Sequence, residues 1–354
     1  MKLVKTEDAV GHVLCHDMTQ IIVGEGKDDP KRFKGPRFRK GHVVAPEDVP
    51  VLLSMGKCSL YVWEMQPGML HEDDAAQRMA RLCLGENTFP AGEPREGKIN
   101  IKAACDGVFL LDSARLRAVN ATDEVMIATR KGGLAVRKGD DLAGTRVIPL
   151  VIDEKKLDSA DEAAEFDQKG PLMRVEPFKL KTAAIIATGS EVKNGLIEDK
   201  FTPVVEGKLK PFGIETNSYA KPGDDMDDLV AAIEDALASG VDLICCTGGM
   251  SVDPDDNTPG AIKRAGARIV TYGAPVLPGA MMLLGYFDMP DGRCVPVVGL
   301  PGCVMYAKAT VLDLVLPRIA AGVPLQKADF VELGEGGLAI KGEFSITPRC
   351  PYTD

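Results

Sequence analysis

Apolar and polar positions follow two different rhythms along this chain, and the change falls near residue 179. Beyond it, apolar runs at 182–187, 214–220, 241–246, 268–272, 281–287 and 295–298 have the length and bulk of buried strands. Helical stretches are expected around 194–199 and at 226–238, 259–265 and 303–321, with Gly240 and Gly266 as stops after two of them. Strands alternating with crossover helices predict an α/β unit over 179–324, a mostly parallel sheet with helices on both faces.

The pieces before residue 179 are shorter. Residues 1–92 read as a mixed α+β accessory domain, with strand-like runs at 11–14, 19–23 and 59–63 and helices at 46–55 and 73–84. From 93 to 152, Gly97, Gly107, Gly132, Gly133, Gly139 and Gly144 punctuate brief apolar runs, the pattern of a small all-β module. Residues 153–178 are read as a linker, its acidic, alanine-rich part 153–170 as a helix or linker, and 325–354 form a glycine-rich, strand-like tail.

Composition narrows the function classes. A chain of 354 residues exceeds one ordinary core, so two or three domains are expected. Net charge of −10 and sparse aromatics, 5% with Trp63 the one tryptophan, argue against nucleic-acid binding. A small anionic ligand remains compatible, because backbone amides and a few local cations can hold one. The basic segment 27–40, with Lys31, Arg32, Lys34, Arg37, Arg39 and Lys40, reads as a solvated loop or as a cationic lip for an anion or a partner. Nine cysteines without metal spacing read as reduced thiols. The charged start and the lack of any membrane-length apolar run lead to the expectation of a cytoplasmic protein with no membrane contact.

Candidate chemistry gathers at three strand ends: Thr188, Gly189, Ser190 and Glu191; Thr247, Gly248 and Gly249; Gly299, Leu300, Pro301 and Gly302. In open α/β sheets, ligands bind at the carboxyl ends of the strands. Glycine turns leave amides for a phosphate, and the acids Glu191, Asp224, Asp225 and Asp256 suit a metal ion or a proton transfer. Each acid alone has a plainer reading as a helix cap, worth about 0.5–2 kcal/mol.

In order and spacing, these motifs resemble the molybdopterin-binding domain of molybdenum-cofactor biosynthesis proteins, most of all the molybdopterin molybdotransferase branch. Thr188, Gly189, Ser190 and Glu191 with Gly195 and Asp199, then Asp224 and Asp225, then Thr247 to Val252 with Asp256 and Thr258, and Pro301 with Gly302 carry the resemblance, over about two fifths of the chain. It implies a homodimer whose ligand is molybdopterin or adenylated molybdopterin, and molybdenum insertion from molybdate. The implied ligand-binding set is Thr188, Gly189, Thr247, Gly248, Gly249, Met250, Ser251, Thr258, Pro301 and Gly302. Glu191, Asp225 and Asp256 are implied as catalytic acids and Mg²⁺ ligands. Two departures stand out: Leu277 and Ala280 occupy the positions of two oxyanion-binding lysines, and Cys303 with Val304 replaces an Asn-Pro pair. Loss of two cations weakens an oxyanion site, so the resemblance supports pterin binding more than molybdate transfer. Two other classes follow: a non-catalytic protein that hands molybdopterin over, and a nucleotide-pyrophosphate hydrolase like the competence-damage proteins.

Overall fold

The structure, a computed structural model, describes residues 2–22, 33–62, 67–250, 256–340 and 343–344. At the N-terminal end, Lys2–Lys5 pairs with Ser59–Val62 and Met18–Ile22 with Phe33–Phe38, both antiparallel. These ribbons and the helix Asp48–Ser54 close over a small core of their own, including Leu14, Met18, Leu52 and Leu60. Of the basic segment, residues 34–40 lie on and after the strand Phe33–Phe38; Lys31, Arg32 and Trp63 lie outside the described residues.

The middle of the chain departs from the all-β expectation. A four-stranded sheet (Thr88–Pro90, Lys98–Ala103, Asp141–Val147, Val125–Thr129) and a three-stranded one (Ala135–Val136, Gly107–Leu111, Met173–Pro177) are joined by the helix Ser113–Asn120. Asp112 starts that helix, its carboxylate accepting the Arg115 amide at 3.1 Å. Of the expected linker 153–178, the part read as helix or linker forms the helices Glu154–Ala163 and Phe166–Lys169, and the remainder supplies the strand Met173–Pro177. One core runs from Ala75 and Met79 on the helix Glu72–Arg81 through Ile101 and Phe109 to Leu157 and Val175, across the expected divisions at 92 and 152. The packing thus joins segments that are far apart in sequence.

This middle unit meets the N-terminal one at a polar junction. Lys40 donates to Asp73 and, at 3.1 Å, to His71 Nδ1, while the opposite ring nitrogen of His71 donates to the Cys15 carbonyl at 2.9 Å. Beside them Glu72 is pushed up to about 7 by burial first and by the carboxylates of Asp73 and Glu96, against the opposing pull of Lys40 and Arg146. A carboxyl whose folded pKa exceeds its unfolded value costs stability as pH rises from about 4.5 through about 7. Glu72→Gln should therefore stabilise the protein at pH 8, on the order of 1 kcal/mol after solvent screening, and change little at pH 4.5. Thermal melts of both proteins at the two pH values check this; an equal shift at both would contradict it.

The α/β unit consists of strands β1 (Thr182–Ala187), β2 (Glu215–Ala220), β3 (Leu243–Thr247), β4 (Arg268–Tyr272), β5 (Leu283–Asp288) and β6 (Cys294–Leu300). Its helices are α1 (Ser190–Lys193), α2 (Phe201–Leu209), α3 (Met226–Ala238), α4 (Thr258–Arg264) and α5 (Val311–Ala320). The sheet order is β2-β1-β3-β6-β5-β4. Pairings among the first four strands are parallel and the last two antiparallel, so five strands run the same way and β5 alone runs against them: the sheet is mixed, and β5 is its one departure from the expected mostly parallel arrangement. A tight turn after β5, with the Met289 amide donating to the Arg293 carbonyl at 2.8 Å, folds β6 straight back and allows no crossover helix there. Alternate residues serve opposite faces: Ala183, Ile185, Leu243 and Cys245 pack towards α2 and α5, and Ala184, Ile186, Ile244 and Cys246 towards α3 and α4. Each fully buried aliphatic chain contributes about 1.5–3 kcal/mol. Burial pushes the Cys245 thiol up and that of Cys246 to about 12, which makes both small hydrophobes.

Two further expectations are corrected beyond β6. The helix expected at 303–321 is broken: a single turn, Gly302–Met305, is followed by a new start at α5. Thr310 and Asp313 form a capping box there, with the Thr310 amide donating to Asp313 at 2.7 Å, so the second helix nucleates independently. The tail is not purely strand-like, since Lys327–Glu332 is a helix with its own box from Gln326 and Asp329. Among the described residues no helix is long and apolar enough to cross a membrane, and eight cysteines are free thiols.

Candidate functional site

Parallel register brings three strand ends level: Ala187 of β1 lies opposite Thr247 of β3, and Thr247 opposite Leu300 of β6. The turns that follow therefore emerge on one edge of the sheet. At the middle one, Gly248 and Gly249 take φ of 84° and 56°, the left-handed region that favours glycine. A Cβ on Gly248 would sit 2.7 Å from Thr188 Oγ1, and one on Gly249 2.6 Å from Thr258 Oγ1. Two buried threonines pin this turn: the Thr188 amide and hydroxyl donate to the Thr247 carbonyl at 2.8 and 3.0 Å, and the Thr258 hydroxyl donates to the Gly248 carbonyl at 3.0 Å. Met250 is buried beneath it against Gly299, its carbonyl accepting the Tyr272 hydroxyl at 3.2 Å. Ser251, expected to join the ligand set, lies outside the described residues.

The turn opens into a cleft of about 890 Å³, whose walls include Thr188, Gly189, Glu191, Asp224, Gly248, Gly249 and Asp256. Pro301 and Gly302 are not among its lining residues; Met305 and Tyr306, one turn further on, are. Asp225 is not among them either. Its carboxylate caps α3, accepting the amides of Asp227 at 2.9 Å and Asp228 at 3.1 Å. Its neighbour Asp224 lines the cleft and clamps the β1 turn, accepting both the amide and the hydroxyl of Ser190 at 2.7 Å, while Asn257 Nδ2 donates to the Asp224 carbonyl at 2.9 Å. Sequence reasoning named both acids but set Asp225 in the site. Nothing in two adjacent acids before a helix tells which of them turns inward to cap.

Electrostatically the cleft is acidic. Glu191, Glu198, Asp199, Asp224 and Asp256 line it, and Lys200 is the one cation among its described lining residues. Burial would raise the Asp199 carboxyl, but hydrogen bonds from the Tyr219 and Thr202 hydroxyls and from the amides of Thr202 and Phe201 outweigh it and hold the group below its ordinary range. Tyr272 is pushed up by burial and by the Asp256 carboxylate. The magnesium expectation does not fit these residues: Asp225 is committed to its helix, and no group of three His, Cys, Asp or Glu side chains among the described residues is placed to hold a metal ion. Lys200, Met305 and Tyr306 were missed in the sequence, because no spacing rule links them to the glycine turn.

Comparison with known proteins falls on the same segment. Residues 184–321 match a family model described as a probable molybdopterin binding domain. The similarity to this family covers less than half of the chain. Residues 3–64 match a second model, a domain of unknown function. Similar curated proteins include a molybdopterin molybdenumtransferase of Staphylococcus aureus, 26% identical over 121 residues, 32% of this chain and 29% of that protein. A CinA-like protein of Desulfosudis oleivorans is 37% identical over 83 residues, 23% of this chain and 20% of its own length. The chain thus spans less than a third of the length of these relatives. Among solved structures, the molybdopterin biosynthesis enzyme MoaB of Thermus thermophilus aligns at 19% identity and TM-score 0.35, covering 42% of this chain and 98% of its own. The tungsten cofactor synthesizing protein MoaB of Pyrococcus furiosus aligns at 22% identity and TM-score 0.32, covering 40% and 89%.

Proposed function

We propose that the cleft binds molybdopterin, or its adenylated form, with the phosphate on the amides of the Gly248-Gly249 turn, and that the chain holds this pterin or hands it on during cofactor biosynthesis. One observation carries the reading: a left-handed glycine pair at the end of a central parallel strand, pinned by Thr188 and Thr258, faces an open cleft. Such a turn presents fixed N–H dipoles to an anion and lets it approach the backbone closely. Insertion of molybdenum has less support. Five carboxylates face one lysine in the cleft, and Leu277 and Ala280, where cations would be needed, are not among its lining residues. A bare oxyanion entering that field meets repulsion.

Glu191, Asp224 and Asp256 are the acids for the ligand's hydrogen-bond donors, and Asp225 acts by holding α3 beneath them. The working form on this reading is a homodimer in the cytoplasm, in which Lys34, Arg37 and Arg39 of one subunit serve the other's ligand. A second reading, hydrolysis of a nucleotide pyrophosphate, draws on the similarity to the CinA-like protein.

Titration of the full chain with molybdopterin, adenylated molybdopterin and ADP-ribose, with and without Mg²⁺, separates these readings, and sedimentation of the same samples reads the assembly. Saturable pterin binding, intact ADP-ribose, no pterin-bound molybdenum after molybdate is added, and a particle of twice 37.8 kDa are expected. Cleavage of ADP-ribose without pterin binding would replace the proposal with the hydrolase, and robust insertion would restore the transferase.

A further inference from the structure

We propose that Tyr306 sets the specificity of the cleft, its ring carrying a planar heterocycle at the end of the ligand opposite the phosphate. The proposal rests on the phosphate reading of the Gly248-Gly249 turn, and its starting point is the broken helix after β6. Apolar residues run on through Val304, Met305 and Val311, so a continuous helix would have carried Tyr306 along its flank. The capping box at Thr310 starts α5 afresh instead, and the chain between the two turns is left at the rim of the cleft. Tyr306 stands there 84% exposed, more than any other large apolar side chain among the described residues.

An aromatic ring left in water at a cleft mouth has forgone burial worth more than most side chains could gain. Its backbone is nonetheless fixed: the Tyr306 amide donates to the Cys303 carbonyl at 3.1 Å and the next amide to the same oxygen at 2.9 Å. Ile197, also exposed, and Val192 line the same cleft and add an apolar wall. The cleft volume of about 890 Å³ is ample for a phosphorylated bicyclic ring.

Charge points the same way. With five carboxylates and Lys200 alone against them, a phosphate gains little from the field of the walls, so the ligand's remaining contacts must supply the affinity. A flat ring stacked on tyrosine does so without adding charge, and one whose edge bears N–H and amino donors also offers hydrogen bonds that carboxylates accept. The ligand class is a phosphomonoester of an amino-substituted heterocycle, and a sugar phosphate or free phosphate falls outside it.

Calorimetric titration of the full chain with neopterin monophosphate, neopterin, ribose 5-phosphate and inorganic phosphate tests this. The wild type should bind neopterin monophosphate at least about tenfold more tightly than ribose 5-phosphate, the range expected of one aromatic stack. Tyr306→Phe should keep that preference and Tyr306→Ala should erase it, with ribose 5-phosphate affinity unchanged in both; so exposed a side chain can be cut without harm to the fold. Neopterin monophosphate binding to Tyr306→Ala as it does to the wild type would overturn the role of Tyr306 while leaving the glycine turn in place. Equal affinity for all three phosphates in the wild type would do the same. Neopterin binding as tightly as its phosphate would instead sink the phosphate reading and leave the ring contact standing, and absence of binding by every probe would overturn both.

Discussion

Gly249→Val should reduce binding of the pterin phosphate by at least about a hundredfold, below detection in an ordinary titration. Two costs coincide at this position. Its φ of 56° suits glycine and disfavours a β-branched side chain, and the new Cβ would stand 2.6 Å from Thr258 Oγ1 and 3.2 Å from Thr188 Oγ1. Relief requires Thr258 to move, which breaks its hydrogen bond to the Gly248 carbonyl and turns the amides away from the ligand. The structural cost, on the order of 2–3 kcal/mol, falls on one turn of the α/β unit. Circular dichroism and the melting of the middle unit should be nearly unchanged. Gly249→Ala, with the same Cβ and no branch, should bind weakly and detectably. Wild-type affinity in the valine variant would remove the phosphate from this turn.

The largest effect on stability is expected away from the cleft, at Arg115. This side chain is 7% exposed, and its guanidinium donates to the carbonyls of Ala164 and Gly170, which close the helices Glu154–Ala163 and Phe166–Lys169. A cation at two helix C-termini meets both their dipoles and their unpaired carbonyls. Arg115→Met fills much of the volume but leaves one buried acceptor, the Ala164 carbonyl, and one half-buried acceptor, that of Gly170, unmet, at about 1–3 kcal/mol for the buried one and less for the other. A loss of about 2–4 kcal/mol is expected in urea unfolding of the middle unit, with Arg115→Lys recovering part of it through one donor. A loss below about 0.5 kcal/mol would mean that water replaces the guanidinium freely.

Legibility of the fold followed the range of the interactions. Residues 182–187, 226–238 and 268–272 were bounded in the sequence as they stand in the structure, because each is a run of apolar residues or helical period closed by glycine or acid. The middle unit was not, since its strands find partners far along the chain: Met173–Pro177 pairs with Gly107–Leu111, and Met69–His71 with Val151–Asp153. No local pattern announces such pairing, and a helix started by one aspartate, as at Asp112, is easily lost among glycines. In the cleft, Gly248, Gly249 and Glu191 were legible from the strand-turn motif. Asp224 and Asp225 differ only in which one turns inward to cap, and Tyr306 reaches the rim only because Thr310 and Asp313 interrupt a helix that its apolar pattern would continue.

The proposed seat of the ligand's phosphate is the Gly248-Gly249 amides, and amide spectra of protein labelled with ¹⁵N-glycine read it directly. Titration with neopterin monophosphate should move the Gly248 and Gly249 signals saturably, with the downfield shift of an amide that gains a charged acceptor. Gly213 and Gly240, which lie outside the cleft lining, should stay in place. Movement at Gly132 and Gly133, which line a separate small cavity beside Arg318, with none at Gly248 and Gly249, would contradict the account.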